Sequence, residues 1–313
     1  MQHSTLPYND YGRYMRQRLG GRIQKLALDA AMSCPNRDGT IAHGGCTFCL
    51  NEAFSPAYCR ASQSLTEQID KALMFHTSRH RTAEHYIAYF QSGTNTHASL
   101  ERLREIYDEA INHPQISGII VGTRPDCISS EILDILANIA THKYVAIEYG
   151  IESTFDTTLS HVNRGHTFDD AQRSVELTKE LNIDVGAHFI LGLPNESREQ
   201  LIAQTERINA LNLNFIKFHQ LQIYRSTPIA TEWHAHPERF MLNNISHEEY
   251  VELMVAILRR LDPRIAIERF ASLAPRHLLL HSPLGGIRLD TLRQMIINRL
   301  NELGATQGDM LSI

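Results

Sequence analysis

Residues 34–49 read Cys34-Pro-Asn-Arg-Asp-Gly-Thr-Ile-Ala-His-Gly-Gly-Cys46-Thr-Phe-Cys49 and contain three of the five cysteines of this 313-residue chain. Eleven residues separate Cys34 from Cys46, and two separate Cys46 from Cys49. Thiolates suit iron–sulfur clusters, zinc and copper(I). Three cysteines can bind three irons of a cubane and leave the fourth iron open, which indicates a catalytic site rather than a plain electron-transfer site.

Zinc is the alternative occupant of these thiolates. Cys59 follows Cys49 by ten positions, so four cysteines could form a four-thiolate zinc site. Structural zinc sites usually take two paired cysteine bites, and this chain has one such pair. An odd, clustered set of cysteines also argues against a disulfide framework. The spacing therefore favours a [4Fe–4S] cluster on Cys34, Cys46 and Cys49, with Cys59 and Cys127 as buried or partly buried thiols.

The hydrophobic pattern around this segment alternates between short β-like runs and longer helical stretches. Strands are predicted at residues 23–28, 86–90, 118–121, 145–150, 185–191 and 215–221, with a weaker seventh at 265–270. This alternation is typical of parallel βαβ units. Both a doubly wound sheet and an open (βα) barrel fit the pattern, and in either one the functional side chains lie at the carboxyl ends of the strands.

Polar residues occur where the predicted strands end. Because parallel strands share one carboxyl edge, these residues and the cysteine segment are expected to surround a single site. The residues in question are Gln91, Ser92, Gly93, Thr94, Arg124, Asp126, Glu152, His188 and Gln222.

Composition indicates an ordinary globular protein, with 42% hydrophobic residues and a formal charge of −5. The sequence has no run approaching the roughly 20 apolar residues of a membrane helix. The amino terminus lacks the charged-then-apolar pattern of a secretory signal. We therefore expect a cytoplasmic protein without a membrane partner.

One stretch departs from the acidic mean. Residues 12–25 contain no acid, and a local basic patch can contact phosphates even on an acidic protein. A solvated helix or arm is the alternative interpretation. The basic residues are Arg13, Arg16, Arg18, Arg22 and Lys25.

Taken in order, these motifs resemble the radical S-adenosylmethionine (SAM) superfamily over about residues 20–230. The further matching segments are 92–94, 123–126, 148–153, 163–167, 188–194 and 217–219. The commonest spacing in that superfamily is C-x3-C-x2-C, and the longer first gap here is similar to the branch that holds the Elongator catalytic subunit and the bacterial YhcC-type proteins. Elongator-like proteins carry an acetyltransferase domain, for which no segment of that size follows, so acetyl transfer is not expected.

The resemblance implies an α/β fold, a partial (βα)6 TIM-like barrel with a small α-helical and β C-terminal extension. The expected divisions are a basic N-terminal arm at 1–22, the radical SAM core at 23–230, and an extension at 231–313 that packs on the barrel. The resemblance also implies two cofactors, the [4Fe–4S] cluster and SAM. SAM would chelate the open iron, and one-electron cleavage would yield a 5′-deoxyadenosyl radical that takes a hydrogen atom from the substrate.

The resemblance further implies roles for single residues. Phe48 is expected to pack on adenine or to anchor its loop, and Ser92, Gly93 and Thr94 form the motif near the methionine amino group. Arg164 is a candidate partner of the SAM carboxylate, with a surface ion pair as the alternative. The last two cofactor candidates are Glu152 and His188, which could contact ribose or amino groups or form a polar pair in the core. Four residues are expected on the substrate side or in structural roles: Arg124, Asp126, His219 and Arg269.

Three functions remain open on this basis. The first is a radical SAM enzyme acting on a tRNA base, with wobble uridine as the favoured target and flavodoxin or ferredoxin as electron donor. The second is a radical SAM enzyme acting on a small metabolite. The third is a zinc-stabilised nucleic-acid-binding protein without catalytic activity.

Overall fold

The computed structural model describes residues 6–50, 56 and 58–311. Its strands are β1 Ile23–Leu28, β2 His85–Phe90, β3 Ile116–Thr123, β4 Tyr144–Glu152, β5 Asp184–Leu191, β6 Phe215–Gln220, β7 Ile223–Tyr224, β8 Ala266–Arg269 and β9 Leu279–His281. Its α-helices are α1 Tyr11–Leu19, α2 Pro35–Asp38, α3 Leu65–Thr77, α4 Leu100–Ile111, α5 Ser130–Ala140, α6 Asp156–His161, α7 Phe168–Glu180, α8 Arg198–Ala210, α9 Pro228–Ala235, α10 His247–Leu258 and α11 Leu289–Glu302.

Seven strands form one parallel sheet in the order β1-β2-β3-β4-β5-β6-β8. The first and last strands of this order nevertheless meet, because Nζ of Lys25 on β1 lies 2.6 Å from Oε2 of Glu268 on β8. The sheet is therefore curled into an open barrel, which confirms the predicted α/β partial barrel. The weak candidate at 265–270 forms β8, so the barrel has one strand more than the six expected.

Helices begin where the sequence places capping residues. Thr167, Ser197 and Ser246 open α7, α8 and α10, each in a reciprocal capping box. Replacing such a cap with alanine typically costs about 0.5–2 kcal/mol. Each cap fixes the residue at which its helix begins. The apolar faces of the helices then cover the outside of the barrel, and Leu103 and Tyr107 of α4 are examples in the main core.

Helix α1 fills the amino end of the barrel. Tyr11 and Met15 are buried in a cluster with the first residues of β4, β6 and β8, and the rings of Tyr11 and Phe215 lie 5.0 Å apart. Asp10 forms an isolated parallel bridge with Ile267 of β8. The segment expected as an arm at 1–22 thus packs into the barrel over its described part.

The basic stretch lies at this amino end, away from the carboxyl ends of the strands. Lys25 is not on the surface, because its side chain is 13% exposed and pairs with Glu148 and Glu268. Arg18 is exposed and pairs with Asp184 at 3.4 Å. The arginines that remain exposed are Arg13, Arg16, Arg18 and Arg22.

The carboxyl-terminal part of the chain is integrated with the barrel. The boundary expected at residue 230 runs through the sheet, because β8 lies beyond it and pairs with β6. Strands β7 and β9 form a separate antiparallel ribbon, and α10 packs against α8 and α11. Among the helices that the structure describes, none has the length and apolar character needed to cross a membrane.

Candidate active site

A cavity of about 330 Å³ opens at the carboxyl ends of the barrel strands. All but one of the predicted ligand and cofactor residues line it, and the exception, Ser92, is buried outside the lining. The predicted residues in the lining are Cys34, Cys46, Phe48, Cys49, Gly93, Thr94, Glu152, Arg164 and His188. The strand-end rule therefore brings these side chains together as expected.

The cysteine loop is held by hydrogen bonds to the rest of the site. Cys34 precedes the short helix α2, whose Arg37 donates through Nη2 to the carbonyl of Cys49 at 2.9 Å. The N–H of Thr47 donates to the carbonyl of Val162 at 3.0 Å. The loop therefore spans from the β1 edge to the segment that follows α6.

Donors converge on the Cys46 sulfur. Arg164 Nη1 lies 3.5 Å from Sγ and Asn36 Nδ2 lies 3.6 Å from it. Such donors stabilise a thiolate, and hydrogen bonds to sulfur tune iron–sulfur clusters. Arg164 Nε and Arg124 Nη1 are also buried without a partner among the described residues. Three thiolates can hold a cluster, and the two unpaired guanidinium N–H groups beside them can donate to a carboxylate bound at that cluster.

The other two cysteines lie apart from this loop and do not line the cavity. Cys59 is buried and its thiol donates to Gln68 Oε1 at 3.2 Å, and burial raises its pKa to about 12. Burial likewise raises the pKa of Cys127 to about 12. Within the described ranges, no three His, Cys, Asp or Glu side chains gather as the ligands of a single metal ion. Cys59 therefore lies outside the cavity that the three loop cysteines line.

Gly93 joins the loop after β2 to the start of the cysteine loop. Its φ is +76°, and a Cβ there would collide with the carbonyl oxygen of Met32. The adjacent Thr94 donates its N–H to the carbonyl of Ser33 at 3.1 Å. The glycine is required because the two backbones touch at this point.

Glu152 and Arg164 face each other in the wall of the cavity. Arg164 Nη2 donates to the carbonyl of Gly150 and lies 3.8 Å from Glu152 Oε1. Burial raises the pKa of Glu152 to about 6 although Arg164 and Arg124 oppose that shift. Glu152 also adopts a φ of 71° beside an irregularity in the β4–β5 pairing. The carboxyl is thus held at the end of β4 and pointed into the cavity lining.

A buried ion network lies beneath the cavity. Glu148 accepts from Lys25 at 2.6 Å and from Lys217 at 2.5 Å, and Lys217 lies 3.3 Å from Glu268. Burial raises the pKa of Glu148, but the two ammonium groups outweigh it, so that pKa lies well below the ordinary value. Burial lowers the pKa of Lys217 to about 8. Opposite charges from β1, β4, β6 and β8 therefore offset one another inside the barrel.

His188 and His219 stack above this network, with ring centroids 5.5 Å apart. Burial and the charge of Lys217 lower the pKa of His188 to about 4. The neutral ring therefore donates from Nε2 to the ionised Glu148 at 3.0 Å and keeps Nδ1 as an acceptor. His219 contacts Ser272 Oγ through Nδ1 at 3.0 Å, and its buried Nε2 has no partner among the described residues. The two rings thus offer neutral hydrogen-bonding groups.

The remaining residues expected on the substrate side divide between structure and cavity. Arg124 lines the cavity and forms a two-point pair with Asp126, at 2.9 and 2.7 Å. Asp126 and Arg269 do not line the cavity. Asp126 therefore orients Arg124, while Arg269 adds positive charge that lowers the pKa of His219.

Sequence reasoning missed several residues of the site. Lys217, Lys25 and Glu268 were not assigned to a common network, although charged residues inside apolar strands were a visible signal. Asn36 is fully buried beside Cys46 and had no such signal. The remaining cavity residues that were not predicted include Tyr89, Gln220, Leu221, Tyr224 and Ser272.

Comparison with protein families identifies the class. Residues 38–205 match the Radical SAM superfamily, and residues 213–302 match the Radical SAM C-terminal domain. The first match alone covers more than half of the chain, so the chain belongs to the radical SAM superfamily. It is a SAM-dependent iron–sulfur enzyme whose cofactors are a [4Fe–4S] cluster and SAM.

Individual relatives agree with this assignment. Protein YhcC of Escherichia coli strain K12 is 35% identical over 87% of this chain and 85% of its own length. YtqA of Bacillus subtilis strain 168 is 32% identical over 98% of this chain and 96% of its own length. Human Elongator complex protein 3 is 27% identical over 71% of this chain, which spans 40% of that protein.

A solved structure shares the fold. The archaeal Methanocaldococcus infernus Elp3 with an N-terminal deletion has a TM-score of 0.65 and 15% identity. The match covers 91% of this chain and 64% of that structure. At this identity the likeness supports the barrel and its topology.

Replacing Arg164 with alanine should weaken SAM binding by about 1.5–3 kcal/mol, on the order of tenfold or more in affinity. The reason is the loss of a buried guanidinium whose Nε is free to donate to a carboxylate. Calorimetric titration of the reconstituted protein with SAM measures the change. Arg173→Ala, which removes an exposed arginine paired with Asp169 and Asp170 on α7, is the matched control. Unchanged affinity in Arg164→Ala would reject this role.

Proposed function

We propose that this enzyme modifies a base of transfer RNA, with the side chain of wobble uridine as the target. The observation that carries the proposal is the single cavity in which the three cysteines and the SAM candidates meet residues of β5, β6 and β7. One side of the cavity is then available to the cofactors and the other to a substrate. The choice of RNA is supported by the similarity to Elongator complex protein 3, since the Elongator-like branch acts on wobble uridine.

The residues of this chain divide into two groups under this proposal. Cys34, Cys46 and Cys49 hold the cluster, and Arg164 binds the carboxylate of SAM. When both cofactors are bound, one-electron cleavage of SAM supplies the radical that removes a hydrogen atom from the substrate. Phe48 shields the site from water on the cysteine side, where it packs against an apolar cluster.

The other group lies towards β6 and the β7–β9 ribbon. Gln220 and Gln222 each donate through Nε2 to the carbonyl of Ser272, at 2.8 and 3.0 Å. The oxygens of both amides are also engaged, by Ser272 N–H and by the Tyr224 hydroxyl, so these residues form a neutral wall, which suits a heterocyclic base rather than an ionic group. RNA enzymes reach such a base by taking it out of a single-stranded loop. His219 is the candidate contact, because its Nε2 is unpaired among the described residues.

A small metabolite is the second candidate substrate. The cavity of about 330 Å³ falls at the lower end of the usual range for small-molecule pockets, roughly 300–1,000 Å³. This candidate needs no surface contact outside the cavity.

Nucleoside analysis tests the proposal. Total tRNA from a strain lacking the protein should lose one modified nucleoside, or accumulate its precursor, relative to the parent strain. Mass spectrometry of digested tRNA detects either change. Complementation with wild type should restore the profile, and complementation with Cys46→Ala should not. Identical profiles in all strains would reject RNA as the substrate and favour the small metabolite.

The electron donor is part of the proposal. Flavodoxin or ferredoxin would reduce the cluster, which needs an electron for each SAM cleavage. Formation of 5′-deoxyadenosine with either protein and a reductase, in place of dithionite, tests this partner. A donor protein is excluded if it yields no more 5′-deoxyadenosine than the reaction without a donor.

A further inference from the structure

Segments 222–231 and 271–289 meet at the mouth of the cavity, and together we call them the rim surface. Gln222 and Tyr224 line the cavity from the first segment, and Ser272 lines it from the second. The segments are joined by the antiparallel pairing of β7 and β9. The rim surface therefore begins where the cavity opens.

Three exposed arginines, Arg225, Arg276 and Arg288, belong to these two segments. The N–H of Arg225 donates to the carbonyl of Leu278 at 2.9 Å, two residues after Arg276. The Arg276 guanidinium lies beside Gly286, where a Cβ would come 3.1 Å from Nη2. Arg288 follows two residues after that glycine. The backbone positions of the three arginines are thus connected through Leu278 and Gly286.

The two segments of the rim surface carry basic but no acidic side chains, and the nearest acids in the sequence are Glu232 and Asp290, which directly follow them. Neither segment contains Asp or Glu, although the whole chain has a formal charge of −5. Among the residues that the structure describes, none of the three arginines forms an ion pair. Glu232, which follows the first segment, is instead held by His161 at 2.8 Å and by Arg239 at 3.3 Å. Three guanidinium groups that form no ion pair with the described residues produce a local positive potential.

We propose that the rim surface binds the phosphates of the RNA substrate, an inference that rests on the proposed function. Guanidinium groups bind phosphate in two places, and phosphate contacts position a nucleic acid while base contacts specify it. A base turned out of a loop would enter the cavity past Ser272 while its flanking phosphates stay on the arginines. Leu273, 49% exposed beside Ser272, offers an apolar contact for the ribose or base.

This assignment replaces the stretch at 12–25 as the phosphate-binding surface. The exposed arginines of that stretch lie with α1 at the amino end of the barrel, where its first residues pack. A phosphate bound there would be at the opposite end from the cavity. The α1 arginines therefore serve as a control of the same charge on the same protein.

The test compares two triple variants, Arg225→Ala/Arg276→Ala/Arg288→Ala and Arg13→Ala/Arg16→Ala/Arg22→Ala. The probe is tRNA purified from the strain lacking the protein, and its binding is measured by fluorescence anisotropy across a salt series. The rim variant should bind at least tenfold more weakly, and its slope of log affinity against log salt should shrink by about 2, at about 0.7 per lost phosphate contact. The α1 variant should match wild type. Both variants should form 5′-deoxyadenosine from SAM and dithionite at the wild-type rate, which verifies folding and an intact site.

Three outcomes would overturn the inference in different ways. Wild-type tRNA affinity in the rim variant, with tRNA binding intact in the parent protein, would reject the rim surface and leave the proposed function standing. No tRNA binding by wild type, together with unchanged nucleosides, would reject the proposed function itself. If the rim variant binds tRNA normally but flavodoxin reduces its cluster more slowly than that of wild type, the rim surface would instead be assigned to an acidic electron carrier.

Discussion

Replacing Cys46 with alanine should abolish assembly of the [4Fe–4S] cluster and, with it, all formation of 5′-deoxyadenosine. Cys46 is buried and receives hydrogen bonds from Arg164 and Asn36, so alanine removes both a ligand and the sulfur on which these donors converge. Three thiolates are the minimum for a site-differentiated cubane. Iron and acid-labile sulfide analysis after anaerobic reconstitution measures the loss. Cys34→Ala and Cys49→Ala should behave in the same way.

Cys59→Ala is the matched control for these variants. Its thiol is buried against Gln68 and kept protonated by burial, so its removal should leave iron, sulfide and product formation at the wild-type level. Retention of a full cluster in Cys46→Ala would contradict the ligand set. A bound zinc without sulfide in the wild-type protein would contradict the cluster altogether.

Replacing Lys217 with methionine should lower the free energy of unfolding by about 3–5 kcal/mol, the usual cost of leaving a buried charge without its partner. Lys217 is fully buried, contacts Glu148 at 2.5 Å and donates to the hydroxyl of Tyr89 at 3.0 Å. Its removal leaves two carboxylates and one lysine inside the barrel. Urea unfolding of the protein measures the difference as a shift in midpoint.

The pH dependence of stability should change in the same variant. The wild-type Glu148 pKa is depressed, so its charged form stabilises the fold above its unfolded pKa, and that contribution is lost as pH falls through the lower folded pKa. Without Lys217 the folded pKa rises towards the unfolded value, so the stability lost on acidification should be smaller and the loss should be complete at a higher pH. Unfolding midpoints measured from neutral to acid pH follow this shift.

Two further variants separate the pairing effect from a general loss of packing. Lys217→Met/Glu148→Gln removes one charge of each sign and should recover part of the stability. Arg173→Ala removes an exposed ion pair on α7 and should change stability by less than about 1 kcal/mol. A Lys217→Met protein as stable as wild type would show that the buried charges are not coupled.

The part of the site that lies at the carboxyl ends of the strands could be predicted from the sequence. Gly93, Glu152 and His188 were placed correctly around the cavity because parallel strands present their carboxyl ends at one edge, and Arg164 was placed there by the family resemblance. The membership of the seventh strand in the sheet was harder to predict, since 265–270 is a short run without strong alternation.

What escaped prediction depends on how the sheet closes. Lys25 and Glu268 lie on the first and last strands in the sheet order, and only the curl of the barrel brings them to 2.6 Å. Lys25 therefore looked like one more member of a basic surface stretch. Helix α1 posed the same problem, because Tyr11 and Met15 gain their burial from strands far along the chain.

Helix α1 also determines how molecules can pass through the enzyme. It packs into the amino end of the barrel with Tyr11 and Met15 buried among the strand starts, while the described cavity opens at the other end. Among the described residues, α1 therefore closes the end of the barrel opposite the cavity. If cofactor and substrate both enter from the open end of the cavity, the one seated deeper has to arrive first and leave last. Release would then follow the reverse order of binding, because the inner ligand cannot leave until the outer ligand has left.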